Sequence, residues 1–164
     1  MAFRVAVRHN ERGYRTTGLP KILFNVVSFE IDDRQFVKGE EKGREFLKCS
    51  DSGYGIILGL LEAGKELCQN PEWTFACLAD PYELHFRHQE TELEIWETLK
   101  GEDRPEAMSR AKLPFKEFLT TLLATAEEQA ELVRIVSSNP LIRQSGDPAL
   151  ERALSDLKEA IGTT

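Results

Sequence analysis

Three groups of residues have types and spacings that could do chemistry. The first is Gly53-Tyr54-Gly55-Ile56-Ile57-Leu58-Gly59, which fits G-x-G-x-x-x-G, a variant of the dinucleotide fingerprint. In a true site the glycines let the backbone approach a pyrophosphate at a helix N-terminus, and an acid at the end of the next strand holds a ribose hydroxyl. Asp80 would be that acid. The surroundings argue otherwise: the strand before the motif is at best Phe46–Cys49, and Ser50-Asp51-Ser52 intervene where the turn should be immediate. Asp51 would also set a carboxylate beside the phosphate, and no β-α crossovers follow to build a parallel sheet. The segment reads better as a helix start whose small residues, Gly64 above all, allow close packing on a sheet. Small-molecule or nucleotide binding at residues 50–59 is the alternative function to weigh.

The second group is the run His85-Phe86-Arg87-His88. On a strand His85 and His88 point to opposite faces, so they cannot share a metal without a bulge, and a site needs three or four convergent ligands. No metal or cofactor is expected. His9 is remote, and no serine or cysteine stands in a recognised nucleophile context. Cys49, Cys68 and Cys77 are odd in number and widely spaced, the pattern of buried reduced thiols in a reducing compartment.

The third group is acidic. Residues 80–106 hold nine acids against Arg87, Lys100 and Arg104, whereas residues 1–29 hold Arg4, Arg8, Arg12, Arg15 and Lys21 against Glu11 alone. Glu92 and Glu94 are neighbours on one strand face rather than carboxylates flanking a cleft, so general acid–base catalysis gains nothing from them. They share that face with Trp96, and Glu83 is expected across from the indole. A large aromatic among carboxylates suits a protein-binding surface, since Trp is a common hot-spot residue and acids steer basic partners. Exposed large apolar groups are generally covered. The long helix or the basic N-terminal strand is therefore expected over this face, with Arg4 and Arg8 neutralising the glutamates.

The elements that must position these groups are legible from their periods. Phe3, Val5 and Val7 alternate with Arg4, Ala6 and Arg8, and Asn10–Gly13 turns the chain toward a return strand at Tyr14–Thr17. Leu23–Ile31 is a longer strand, Asp32-Asp33 a turn and 34–38 its return, while 38–44 is a charged, glycine-bearing loop. A helix runs from caps at Ser50–Ser52 through Ile57, Leu60, Leu61, Gly64 and Cys68 to Asn70-Pro71. Trp73–Ala79, Tyr82–His88 and Glu92–Thr98 make a three-stranded meander. Pairing Leu78 with Glu83 sets Phe75 opposite Phe86. Pairing Arg87 with Glu92 sets Phe86 opposite Leu93, Leu84 opposite Ile95 and His85 opposite Glu94. Residues 101–112 are a polar linker. Leu113-Pro114 opens the longest helix, and Asp147-Pro148 caps a last one whose Leu150, Leu154, Leu157 and Ile161 form one stripe ending at Gly162.

Strands, a helix, a meander and two helices indicate an α+β fold in one domain over residues 1–164: an antiparallel sheet, one helix between strand groups, and two C-terminal helices packed on the sheet. At 164 residues the chain can bury roughly two-thirds of its unfolded surface in one core. Its 41% hydrophobic and 30% charged residues exclude disordered and fibrous classes. No apolar run approaches the roughly 18 residues of a membrane helix, and the N-terminus has no signal-peptide core, so a cytoplasmic protein is expected. A net charge of −7 argues against a nucleic-acid binder.

The element order and acidic outer sheet resemble those of some small bacterial immunity proteins that neutralise toxins. The likeness is one of architecture, without a shared motif, and it implies a non-enzymatic module that presents Glu83, Glu92, Glu94 and Trp96 to a basic protein partner. Self-association through the C-terminal helices is the third alternative, although four seam positions are too few for a free-standing coiled coil and favour internal packing.

Overall fold

The computed structural model describes residues 3–8, 26–31, 34–36, 39–41, 44–46, 53–76, 82–101, 109–137 and 148–163. Nine strands are described: β1 (Phe3–Arg8), β2 (Val26–Ile31), β3 (Arg34–Phe36), β4 (Gly39–Glu41), β5 (Arg44–Phe46), β6 (Glu72–Ala76), β7 (Tyr82–Gln89), β8 (Glu92–Leu99) and β9 (Ser109–Pro114). Three helices accompany them: α1 (Gly53–Leu67), α2 (Phe115–Ser137) and α3 (Pro148–Gly162). The strands form three sheets, β1-β2-β3, β4-β5 and β6-β7-β8-β9, and every pairing is antiparallel. This is the α+β architecture expected from the sequence, with one helix between strand groups and two at the C-terminal end.

The local differences have physical causes. Phe3 pairs with Ile31 and Arg8 with Val26, so β1 takes the long strand as its neighbour. The anticipated return strand at 14–17 lies outside the described residues. The charged stretch expected as a loop contains a tight hairpin, in which Glu41 pairs with Arg44 and only two residues separate the strands. The polar stretch 101–112 is not all linker, because Ser109–Pro114 adds a fourth strand to the meander. Its alternation of Arg110 and Lys112 with Ala111 and Leu113 has a period of two, and Leu113 at the apolar position is fully buried. The long helix consequently starts at Phe115, after Pro114 closes the strand.

The core lies between the β6–β9 sheet and the helices. Trp73, Phe75, Leu84, Phe86, Leu93, Ile95 and Leu113 point inward, and Phe86 meets Phe118 of α2 with ring centroids 6.0 Å apart. Helix α1 is the central element, in contact with β2, β6, β7, α2 and α3, which is why Ile57, Leu60, Leu61, Ala63 and Leu67 are all buried. Helix α2 packs on β1, β8 and β9, and α3 reaches the core chiefly through α1 and α2. The stripe on α3 is thus satisfied within the chain: Leu150, Leu154 and Leu157 belong to the common core. Among the described residues, no helix is long and apolar enough to cross a membrane.

Candidate functional site: the outer face of the four-stranded sheet

Strand alternation puts every second residue of β6–β9 on the face away from the helices. Cross-strand pairing arranges that face in rows: Glu72–Arg87–Glu94–Lys112, then Thr74–His85–Trp96–Arg110, then Ala76–Glu83–Thr98. Gln89 and Glu92 end it beside a two-residue turn. Glu90 opens that turn with φ +53°, the left-handed conformation that primed hairpin turns require at this position and that glycine normally supplies.

Both hairpin registers differ from the sequence expectation by two residues, with Phe75 opposite Leu84 and Phe86 opposite Ile95. A slip of two preserves which side chains face the core, so the buried set is unchanged while the mates on the outer face are not. His85 lies opposite Trp96 instead of Glu94, Arg87 opposite Glu94 instead of Glu92, and Glu83 opposite Thr98 instead of Trp96. Of the four residues expected to form the binding surface, Glu92, Glu94 and Trp96 share one strand, and Glu83 sits one row beyond the indole on β7.

Trp96 is the centre of the face. The His85 imidazole lies 5.2 Å from it between ring centroids, at 12° to its plane. The guanidinium carbons of Arg87 and Arg110 each lie 5.4 Å from the indole centroid, within cation–π range. Each arginine is held from its far side: Arg87 donates to Glu72 at 2.8 Å and Arg110 to Glu94 at 3.0 Å. Lys112 donates to Glu92 at 2.7 Å, and the paired carboxylate pushes the ammonium above the usual lysine range. The glutamates are thus neutralised from β9 and β7. The long helix expected over this face packs on the opposite one, and the side chains of Arg4 and Arg8 lie outside the described residues. Glu83 is the exception among the acids; its nearest charge-bearing neighbour shown is the His85 ring at 3.9 Å.

His85 is the one imidazole within this ladder. Its Nδ1 lies 3.2 Å from the Thr74 hydroxyl and its Nε2 2.8 Å from that of Thr98. Hydroxyls can either donate or accept, so both ring nitrogens are satisfied in the neutral form. Burial pulls its pKa below the ordinary histidine value, and the Glu83 carboxylate opposes that shift without cancelling it. Four carboxylates, Glu72, Glu83, Glu92 and Glu94, face three cations, Arg87, Arg110 and Lys112, leaving one net negative charge on these rows. The rim is open to solvent: the side chains of Glu72, Glu92, Arg110 and Lys112 are each more than half exposed, whereas Glu94 is 15% exposed.

His88 leaves this face and closes a junction. Its backbone N–H donates to the Pro71 carbonyl at 2.7 Å. Its ring nitrogens lie 3.3 Å from the Leu67 carbonyl at the end of α1 and 2.8 Å from the Glu90 carbonyl. The ring centroid is 3.9 Å from that of Phe115, at the start of α2.

The glycine motif has a packing explanation at its last position. A Cβ on Gly59 would overlap the Phe75 ring, so the glycine lets α1 approach β6. Gly64 faces the other way, with Leu119 and Leu157 side-chain carbons 3.3 Å from where its Cβ would stand. Residues 50–52, where a phosphate would sit, lie outside the described residues. Among the described residues no group of three or more His, Cys, Asp and Glu converges as metal ligands would.

A groove of about 450 Å³ runs between α2 and α3 over Ala130 and Leu154. Its charged rim is spent on itself, through Arg134–Glu151 at 2.9 Å and Lys158–Glu127 at 2.6 Å. Sequence reasoning missed Arg110 and Lys112 as members of the outer face; the signal was the short alternation of residues 110–113. No protein-family model matches the chain, and no curated protein or solved structure shows significant similarity to it.

Proposed function

We propose that this chain is a non-enzymatic protein-interaction module, of the immunity-like kind suggested by its element order, and that it docks a basic protein partner on the outer face of β6–β9. The observation that carries this reading is Trp96. A half-buried tryptophan on the sheet face opposite the described helices, flanked by His85, Arg87 and Arg110, is a pre-organised anchor. Holding the ring in place before binding lowers the entropy lost when a partner seats on it. The acids around the ring supply orientation, because charges at the edge of an interface steer encounter more than they add affinity.

The ion pairs refine the role of each acid. Glu92 and Glu94 already hold Lys112 and Arg110, so a basic partner competes with internal cations for them. Glu83 is a third exposed and has no lysine or arginine shown at ion-pair distance, which makes it the acid most available to a partner.

Affinity capture from the native cell tests the proposal. Wild-type chain should retain a basic protein that Trp96→Ala and Glu83→Lys each lose, while both variants keep a wild-type far-ultraviolet circular dichroism spectrum. Retention of the same partner by both folded variants would overturn this reading.

A further inference from the structure

We propose that His85 gates the Trp96 face by its protonation state, so that docking of a basic partner weakens in mild acid. The inference rests on the docking role proposed for that face and adds its regulation.

Among the described residues, the titratable side chains shown against the indole are His85 and the two arginines, which stay charged at all relevant pH. Each strand of the sheet contributes a group that responds to the charge of His85. From β6 comes the Thr74 hydroxyl on Nδ1, with Glu72 one row away. From β7 itself come Glu83, 3.9 Å from Nε2, and Arg87. From β8 come the Thr98 hydroxyl, the indole and Glu94. From β9 comes Arg110, which reaches the same indole.

In the neutral ring one nitrogen donates and the other accepts. In the imidazolium both must donate, so the hydroxyl that donated to the acceptor nitrogen has to turn its proton away and find another acceptor, in surroundings where Thr98 is 2% exposed. Protonation also sets a third cation against an indole already flanked by two, and takes these rows from one net negative charge to neutrality. Glu83 would be drawn toward the new charge, removing from the partner the acid most available to it. Burial, which pulls the His85 pKa below 6.5, is the same resistance to charging seen from the proton's side.

The experiment uses the full chain between pH 5 and 8. With Trp73→Phe leaving Trp96 as the sole indole, emission should show a one-proton transition centred below 6.5, and His85→Gln should abolish it. If Trp73→Phe perturbs folding, ring-proton NMR of the unmodified chain follows the same titration, the His85 signal being the one lost in His85→Gln. An oligolysine peptide serves as the basic probe. Its affinity should fall up to about fivefold from pH 7.5 to 5.5 in the wild type, the scale of one surface charge interaction, and stay level in His85→Gln. Flat emission, or a transition retained in His85→Gln, overturns the gate. A normal emission transition with no oligolysine binding at either pH overturns docking of basic partners while supporting the His85–Trp96 coupling.

Discussion

The two faces of the β6–β9 sheet are built on the same four strands and use opposite chemistry. Inward, Leu84, Phe86, Leu93, Ile95 and Leu113 are at most 1% exposed and meet the helices. Outward, His85, Trp96, Arg87 and Arg110 form a ladder of stacked planar groups edged by ion pairs. Burial of apolar area contributes roughly 25 cal/mol per Å², whereas exposed ion pairs contribute little because water already solvates both partners. Stability should therefore reside on the inner face and recognition on the outer. A difference this sharp can be broken experimentally.

The largest effect is expected at Phe86, whose ring is 1% exposed against Phe118. Phe86→Ala should cost about 3–5 kcal/mol in urea-induced unfolding. Gly59→Ala comes next, because the added methyl meets the Phe75 ring; overpacking of this kind costs about 1–3 kcal/mol, read as a lowered midpoint. Glu90→Gly should go the other way. Relief of the left-handed φ should raise stability by about 1 kcal/mol, and a loss would mean that the Glu90 side chain matters more than its backbone.

Trp96→Ala removes one stacking and two cation–π contacts of about 1 kcal/mol or less each, together with the packing of a half-buried ring, and should lower the thermal midpoint by roughly 5–10 °C while the chain stays folded. It should nonetheless abolish partner capture. A collapse of stability in this variant would put the face on the structural side of the comparison. The smallest effect is expected for Lys112→Ala, whose exposed pair with Glu92 should vanish with no resolvable change in the unfolding midpoint.

The pH dependence of stability sharpens the same contrast. His85 is depressed by burial, so the folded state resists its protonation. Its contribution is fully present above the unfolded histidine value of 6.5 and is lost as pH falls toward the lower folded value. Wild type should lose stability over that window relative to His85→Gln, measured by denaturant titration at each pH. A parallel decline in both proteins would remove His85 from the account.

The asymmetry between the faces also explains what could be read in the sequence. The inner face was legible because it repeats a binary pattern: any register that buries Phe75, Leu84, Phe86, Leu93 and Ile95 together is acceptable, and a two-residue slip satisfies it equally. The outer face depends on the actual mates, and these are set by turn geometry. The turn is only Glu90-Thr91, closed by a non-glycine residue at positive φ, which propensity does not reveal. That single detail moves Trp96 from Glu83 to His85. Ser109–Pro114 was hidden for a different reason, since Ala111 and Leu113 are too few apolar residues to stand out among charges. Helices α1 and α3 were legible almost to their ends because Asn70-Pro71, Asp147-Pro148 and Gly162 punctuate them.

The His88 junction joins the end of α1, the approach to β6, the β7–β8 turn and the start of α2 through one side chain and its backbone N–H. Phe115 reinforces it by donating its backbone N–H to the Thr91 carbonyl at 2.9 Å. The hairpin tip therefore cannot fray alone: opening it disconnects two helix ends at once. In native-state hydrogen exchange the amides of His88 and Phe115 should share one opening free energy, marking the tip and both helix ends as a single cooperative unit rather than a loose turn.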